Sequence, residues 1–473
     1  MFHRRPGTTN ISSGRSTYFS PCLNLIKSHR AISSARHVQG CPSCNRQPPT
    51  IALLTIMHKS RSRLLFQTIG AIRNGSHHLL AFSAGIIIAL LAWYPGHFPI
   101  TLLALPALWS RLPNRVAAFT LWTTYYLVGA RDIPAVCERF FVGYQELNPG
   151  TAVAVGTAFW SLQAAVLALP WTVLKPERTA SGFSYACRAS LATLIVTAPP
   201  LGIIGWLSPI HVAGTLYPGW RVTGMGLGLA ALCTASIPPR RSAAWVTCIA
   251  TLAGLALYAN WQEPPQSPPA GWRAVDTMLG RFDQSSYPSL YARTMQLQSI
   301  VERSFADGAS VAILPEEIAG LWRPAMKLWW RADIERMRAA GQTLVIGMDL
   351  TVNVSPFRYT DSTLITGVGR GRLDSRQPVP VAMWRPGGRI SAIRGDINQP
   401  YLMIAGHRAA MSLCFEDLLW WPHWRTLLDK PDVIVSQSNG WFDSDLALAN
   451  IQRQSIEAVA RLAGAPLLRA TNR

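Results

Sequence analysis

The sequence is poorest in acid where it is richest in apolar residues: none of its 24 Asp and Glu precedes Asp132. Charged residues are only 14% of the 473 and hydrophobic ones 49%, a balance that suits a membrane protein. Lysine is scarce, and none lies between Lys327 and Lys430. The eight cysteines make no disulfide framework. Cys137, Cys187, Cys233 and Cys248 lie in or beside apolar runs, and Cys414 stands alone near the C-terminus. Cys41 and Cys44 form a CxxC near His37, but no second ligand pair follows, so the segment reads as tail rather than as half a zinc site. His407 and His423 have no paired ligand spacing, and the glycines at 367–371 lack the strand–helix frame of a nucleotide loop. No metal, no cofactor and no internal repeat is expected.

The net charge of +20 is unevenly spread. From Trp261 onward there are 23 Lys/Arg and 20 Asp/Glu; the preceding part carries 21 against 4. A basic chain can signal a nucleic-acid partner. Here the excess sits in the N-terminal tail and between apolar runs, the distribution of cytoplasmic membrane flanks, so no direct nucleic-acid contact is expected. Residues 1–56, rich in Ser, Arg, Pro and Asn, read as a disordered basic tail without the apolar core and cleavage site of a secretory signal. Met57, followed by Lys59, Arg61 and Arg63, reads as the physiological start.

Residues 57–260 read as a membrane region. Seven runs at 79–96, 97–110, 115–131, 151–174, 187–206, 222–239 and 243–260 are apolar all round, unlike the one-sided helices of a soluble core. The run at 97–110 is short enough to be re-entrant. Eleven Lys/Arg precede the first run, and the second–third, fourth–fifth and sixth–seventh connections carry Arg111 and Arg115, Lys175, Arg178 and Arg188, and Arg240 and Arg241. The alternate connections are poorer in positive charge. That alternation predicts a cytoplasmic N-terminus and, after seven crossings, a C-terminal part outside the cytoplasm. Six crossings would place it inside.

A Pro-rich linker, 261–271, leads to a different pattern. Strands are expected at 272–280, 311–314, 343–347, 409–414 and 432–436, and helices at 288–306, 324–340 and 445–463. Buried strands alternating with helices predict an α/β layered domain over 272–473. Its strand ends carry the polar groups: Glu316 after the second strand, Cys414 with Glu416 and Asp417 at the fourth, Ser438 and Asn439 at the fifth. Sites gather at strand C-termini in such folds. A lone Cys on an apolar strand is usually an inert core residue, but a thiol with carboxylates at hand is a candidate nucleophile. The Trp-rich patches at 329–330 and 420–424 read as core or as membrane-interface anchors.

Ala312–Glu316 (AILPE), Ser412–Asp417 (SLCFED), Ser438–Phe442 (SNGWF) and the stretch 450–472 ending in RATN resemble the nitrilase, or carbon–nitrogen hydrolase, superfamily. With the multi-span region ahead of them, they look more like apolipoprotein N-acyltransferases and TraB-type conjugal transfer proteins. The resemblance runs from Met57 onward. It implies an αββα sandwich and a Glu–Lys–Cys triad, with Glu316 as general base and Cys414 as nucleophile. It further implies that Glu416 helps position the site and that Asn439 and Trp441 line the substrate pocket.

Three departures stand out. The triad lysine is missing; where it is expected, before a Val-Pro pair, the chain reads Asp374-Ser-Arg376-Gln-Pro-Val-Pro380, with Arg376 nearest. An arginine there could stabilise an oxyanion but not shuttle a proton. Val381-Ala-Met-Trp384 replaces a Phe-Gly-Glu segment, and the sequence ends at Arg473, ahead of the sandwich's last strands and a final span. The expectation is therefore a multi-pass protein of a bacterial inner membrane with a periplasmic nitrilase-like domain. It would transfer an acyl or amide group through a Cys thioester in plasmid conjugation, with a phospholipid or other acyl donor and with lipoprotein or conjugation-system proteins as partners. Two alternatives remain open: a non-catalytic membrane component of the conjugation machinery, and an apolipoprotein N-acyltransferase.

Overall fold

The computed structural model describes residues 76–145, 147–239, 242–263, 267–442 and 445–473, all within one compact unit, 66–473. The expected tail 1–56 with its CxxC, and the start at Met57, lie outside the described residues.

The first part is helical. It comprises α1 (Ser76–Ala92), α2 (Ala104–Arg111), α3 (Arg115–Gly129), α4 (Ile133–Gln145), α5 (Pro149–Val173), α6 (Gly182–Thr197), α7 (Val212–Leu216), α8 (Arg221–Ser236) and α9 (Ala243–Trp261). Among the described residues two helices, α5 and α9, are long and apolar enough to cross a membrane, and α1 is a shorter apolar one. The remaining expected runs are shorter helices. The run at 97–110 divides into a 3-10 turn and α2. The run at 187–206 stops as helix at Thr197, ahead of Pro199 and Pro200, because proline lacks the N–H and disfavours helix in the residue before it. Trp122 stacks on Trp171 at 3.8 Å in the middle of this region, with Trp109 edge-on to Trp171.

α4 corrects the sequence reading, which took 131–150 as a connection. Its apolar residues Ile133, Val136, Cys137, Phe140 and Phe141 recur at the i, i+3, i+4, i+7, i+8 spacing of one helix face. Asp132, Glu138 and Glu146 break this stretch with charge and mask that period.

The second part adds β1 (Trp272–Ala274), α10 (Tyr287–Ala306), β2 (Val311–Ile313), α11 (Met326–Trp329), α12 (Arg331–Ala339), β3 (Thr343–Val354), β4 (Phe357–Gly367), β5 (Gly371–Asp374), β6 (Ile390–Ala392), β7 (Leu402–Ile404), β8 (His407–Leu413), α13 (Trp424–Leu428), β9 (Val433–Asn439), α14 (Ala447–Ala463) and β10 (Leu467–Asn472). One sheet runs β1-β2-β3-β4-β5 with β6 on β4; the other runs β10-β9-β8-β7. Side chains alternate across each strand. Ala312, Leu344, Ile346 and Met348 pack outward on Leu290, Leu297 and Met337 of α10 and α12. Val311, Ile313, Val345 and Ile365 face inward onto Met411, Leu413, Val433 and Val435 of the second sheet. The order is helix, sheet, sheet, helix, with α14 covering the second sheet.

α14 also closes the gap to the first part. One continuous apolar core joins Ile451, Ile456, Val459 and Leu462 of α14, Trp420 and Trp421, and the helices from α1 to α9. Polar ties cross the same boundary: His211 to Ser455 at 2.7 Å, Gln454 to the backbone of Tyr94 and Gly96, and Arg461 to Glu263 at 2.8 Å. Gly214 of α7 lets the backbones touch, because a Cβ there would lie 2.1 Å from the Ala458 carbonyl oxygen. Gly214→Val should therefore destabilise the protein by about 1–3 kcal/mol, the usual cost of overpacking. The measurement is the thermal midpoint of the purified full-length chain, and an unchanged midpoint would contradict this close approach.

Candidate active site

Glu316 stands just beyond β2. Pro315 stops the strand, and Gly347 on β3 lets the next residue crowd in: a Cβ on Gly347 would lie 2.5 Å from the Glu316 Cα. The Glu316 carboxyl is buried, accepts the Asn439 backbone N–H at 3.1 Å and is in hydrogen-bonding contact with the Cys414 thiol. Burial, with Asp361 and Glu317 nearby, holds its pKa well above the ordinary carboxylate range.

Cys414 sits where β8 turns into a 3-10 helix, Cys414–Leu418, with φ 39°, a left-handed conformation that costs a non-glycine residue about 1–2 kcal/mol. Neighbours hold it there. Gln452 of α14 donates to the Cys414 carbonyl at 2.7 Å, and the Glu416 side chain accepts the Leu413 N–H at 3.4 Å. Burial raises the thiol pKa first, and the charge of Glu316 adds to it; the Asn439 N–H acts the other way. The resting cysteine is therefore a thiol, and it needs a base to become a nucleophile.

Asn439 ends β9, and its side-chain oxygen accepts from Asn472 at 2.9 Å. Asn472 in turn accepts from Thr277 at 2.8 Å and from the Leu279 N–H at 3.1 Å, so the RATN end of the chain fixes the pocket edge. Trp441 and Phe442 follow Asn439 and meet Phe140 of α4, stacked and edge-on respectively. The Arg139–Asp445 ion pair ties α4 to the same loop, and the Leu448 N–H of α14 donates to Asp132, just ahead of α4, at 2.9 Å.

These residues bound one cleft of about 1190 Å³, its open mouth included. Ile133, Val136, Phe140, Val155 and Phe159 make the wall from the helical region; Val379 to Met383, Phe415, Trp441 and Leu448 make the wall from the α/β domain. Glu316 and Cys414 are the chemistry within this mostly apolar lining. Four sequence candidates, Glu316, Cys414, Asn439 and Trp441, thus share one cleft.

The other two, Arg376 and Glu416, lie behind it. Glu416 is fully buried and accepts the Arg376 guanidinium in an ion pair of 2.6 Å, together with the backbone N–H groups of Arg376 and Gln377. The same guanidinium donates to the carbonyls of Pro422 and Met411. Every polar arm of Arg376 thus meets this turn, and neither residue lines the cleft. Asp417 is held by Ser412 at 2.5 Å, Ser436 at 2.7 Å and Gln452 at 3.2 Å, and burial pushes its pKa up to about 6. Sequence reasoning gave no role to Gln452, Asn472 or the α4 wall. The first two lie in the 450–472 stretch that carries the resemblance, and α4 carried its apolar period.

Removing one partner of a buried pair leaves an uncompensated charge. Arg376→Met should cost about 3–5 kcal/mol of stability, and adding Glu416→Gln should recover part of that loss. Chemical unfolding of the single and double variants checks this, and a double variant no better than the single would refute the pairing.

No protein-family model matches the chain. It is 28% identical over 385 residues to the conjugal transfer protein TraB of Agrobacterium fabrum, which covers 79% of this chain and 87% of the relative. It is 28% identical over 345 residues to the apolipoprotein N-acyltransferase of Bordetella bronchiseptica, 61% of each. Among solved structures, an amidase from Nesterenkonia aligns at TM-score 0.29 and 14% identity over 42% of this chain and 74% of its own. A carbon–nitrogen hydrolase from Helicobacter pylori aligns at TM-score 0.30 and 12% identity over 40% and 71%. Over most of its length the chain is homologous to TraB conjugal transfer proteins and, more distantly, related to apolipoprotein N-acyltransferases.

Proposed function

We propose that this chain is a membrane-embedded acyl- or amide-transfer protein of carbon–nitrogen hydrolase type that serves plasmid conjugal transfer. The contact of Glu316 with the Cys414 thiol inside an apolar cleft carries this reading. Glu316 takes the thiol proton, and the sulfur attacks an ester or amide carbonyl. The leaving alcohol or amine recovers the proton, and the acyl group stays on Cys414 as a thioester. An amine or water then takes the acyl group. The apolar lining suits an acyl chain, such as that of a phospholipid donor, and Asn439 and Trp441 would flank the reacting end. The similarity to TraB supports the conjugation setting; the similarity to an apolipoprotein N-acyltransferase supports the chemistry.

The apolar outer faces of α1, α5, α6 and α9, with Leu79, Leu162, Phe183 and Leu257 all exposed, support a lipid-facing helical region in the bacterial inner membrane. The charge alternation supports a periplasmic α/β domain. A phosphatase reporter fused after Pro269 should be active; an inactive fusion at normal expression would overturn that placement.

A non-catalytic role in the transfer machinery is the second reading. It is favoured by the engagement of Arg376 with Glu416 rather than with the thiol, in a segment without lysine. Covalent labelling in membranes with an acyl-donor lipid probe separates the two. Cys414→Ala should abolish labelling, and Glu316→Gln should slow it by about 100-fold or more. Absence of labelling in folded, inserted wild type would leave the non-catalytic reading.

A further inference from the structure

The inward face of the first sheet changes character along its strands. At Val345 and Ile365 it is apolar. One step further β3 and β4 pair Gly347 with Thr363, and the next step sets Asp349 directly opposite Asp361. Thr363 donates to Gln437 of the second sheet, which itself donates to the Leu314 carbonyl, so this is the face beside Glu316. Asp361 is 1% exposed and Asp349 7%, and one carboxyl oxygen of each meets no hydrogen-bond partner among the described residues. Like charges facing each other across strands repel, and isolated buried carboxylates are strongly disfavoured.

The Asp361 carboxyl is in hydrogen-bonding contact with that of Glu316. Two carboxylates in contact cannot both hold a charge; a proton between them resolves the conflict. The groups facing the pair are mostly acidic. Glu317 and Cys414 face Glu316; Glu317, Asp374 of β5 and Glu416 of the turn after β8 face Asp361, with Asp349 across the ladder. The nearby arginines are engaged elsewhere: Arg372 pairs with Asp374 and Arg376 with Glu416. Among the described residues, no Lys or Arg forms an ion pair with Glu316 or Asp361.

We propose that Asp361 is the positioning residue of the general base: it shares one proton with Glu316 and so sustains a single negative charge there without a neighbouring lysine. This rests on Cys414 and Glu316 being nucleophile and base. At rest the pair holds one proton. When the Cys414 sulfur bonds to the carbonyl carbon, its proton passes to Glu316 and the carbonyl π electrons move to oxygen. The pair is then neutral with two protons, and the negative charge lies on the tetrahedral oxygen. As that oxygen re-forms the carbonyl, the bond to the leaving group breaks, the leaving group takes the proton from Glu316, and the pair returns to one proton.

The test is the pH dependence of Cys414 alkylation by a neutral haloacetamide in the full-length purified protein, read at Cys414 by mass spectrometry. Asp361→Asn replaces the shared proton by a weaker amide donor, so the acid limb should move up, and Asp361→Leu removes the donor altogether, so it should move up further, by about one pH unit or more, a tenfold change. An Asp361 that merely fills space moves neither limb, and one that stays ionised beside Glu316 moves both down when its charge is lost; either result overturns the proposal. Should the Leu variant not fold, infrared spectra decide. A protonated-carboxyl stretch at neutral pH in wild type should weaken in both Asp361→Asn and Glu316→Gln, and a stretch unchanged in either refutes the sharing. Alkylation needs no acyl transfer, so a failed acyl-enzyme experiment and a failed proton-sharing experiment remain separate results.

Discussion

The burial of α14 on two sides governs the geometry of everything near the cleft. One face lies on the second sheet, where Gln452 reaches the Cys414 carbonyl and Asp417. The other meets α7 so closely that only a glycine fits at 214. A helix buried in this way cannot shift without disturbing both neighbours, since packed interiors do not deform smoothly. Cys414 is thereby indexed to the helical region, although its strand belongs to the other part of the chain.

Within the α/β domain charge is arranged in two tiers. Behind Cys414, opposite charges meet: Arg376 satisfies Glu416 and both hold the turn. In front of it, like charges meet: Glu316, Asp361 and Asp349 share an inward face whose nearby arginines serve other carboxylates. A buried ion pair adds little net stability, but it specifies one arrangement strongly when each polar group is satisfied. A buried acid cluster does the reverse. It is tolerable only with protons aboard, which is why it belongs beside a group that gives and takes them.

Much of this was readable in the residues. The short apolar runs of β2, β8 and β9 announced themselves, as did the polar residues at their ends, because fully buried parallel strands are apolar without alternation. Glu316, Cys414 and Asn439 stand at those ends; Trp441, and the grouping of all four at one site, came only with the resemblance to carbon–nitrogen hydrolases. β4 was not among the expected strands: Thr360, Asp361, Ser362 and Thr363 carry no apolar period, and their burial depends on partners in β3, β5 and β9 that no local window contains. Arg376 was legible as the cation nearest the empty lysine position but not as the partner of Glu416, because the fork is set by a turn 40 residues away. The helical region was over-read in length, Pro199 and Pro200 cutting one run, and under-read at α4.

The cleft has a wall from residues 133–206 and a wall from residues 316–452, with aromatic contacts from Phe140 to Trp441 and Phe442 across it. Its shape is thus a property of two stretches of chain that are far apart in sequence and of different composition. Each wall constrains what the other can become. A chimera that joined the helical region of one relative to the α/β domain of another would inherit two half-pockets matched to different partners. Change in the shape of such a cleft then calls for paired substitutions across the aromatic seam rather than change in either part alone.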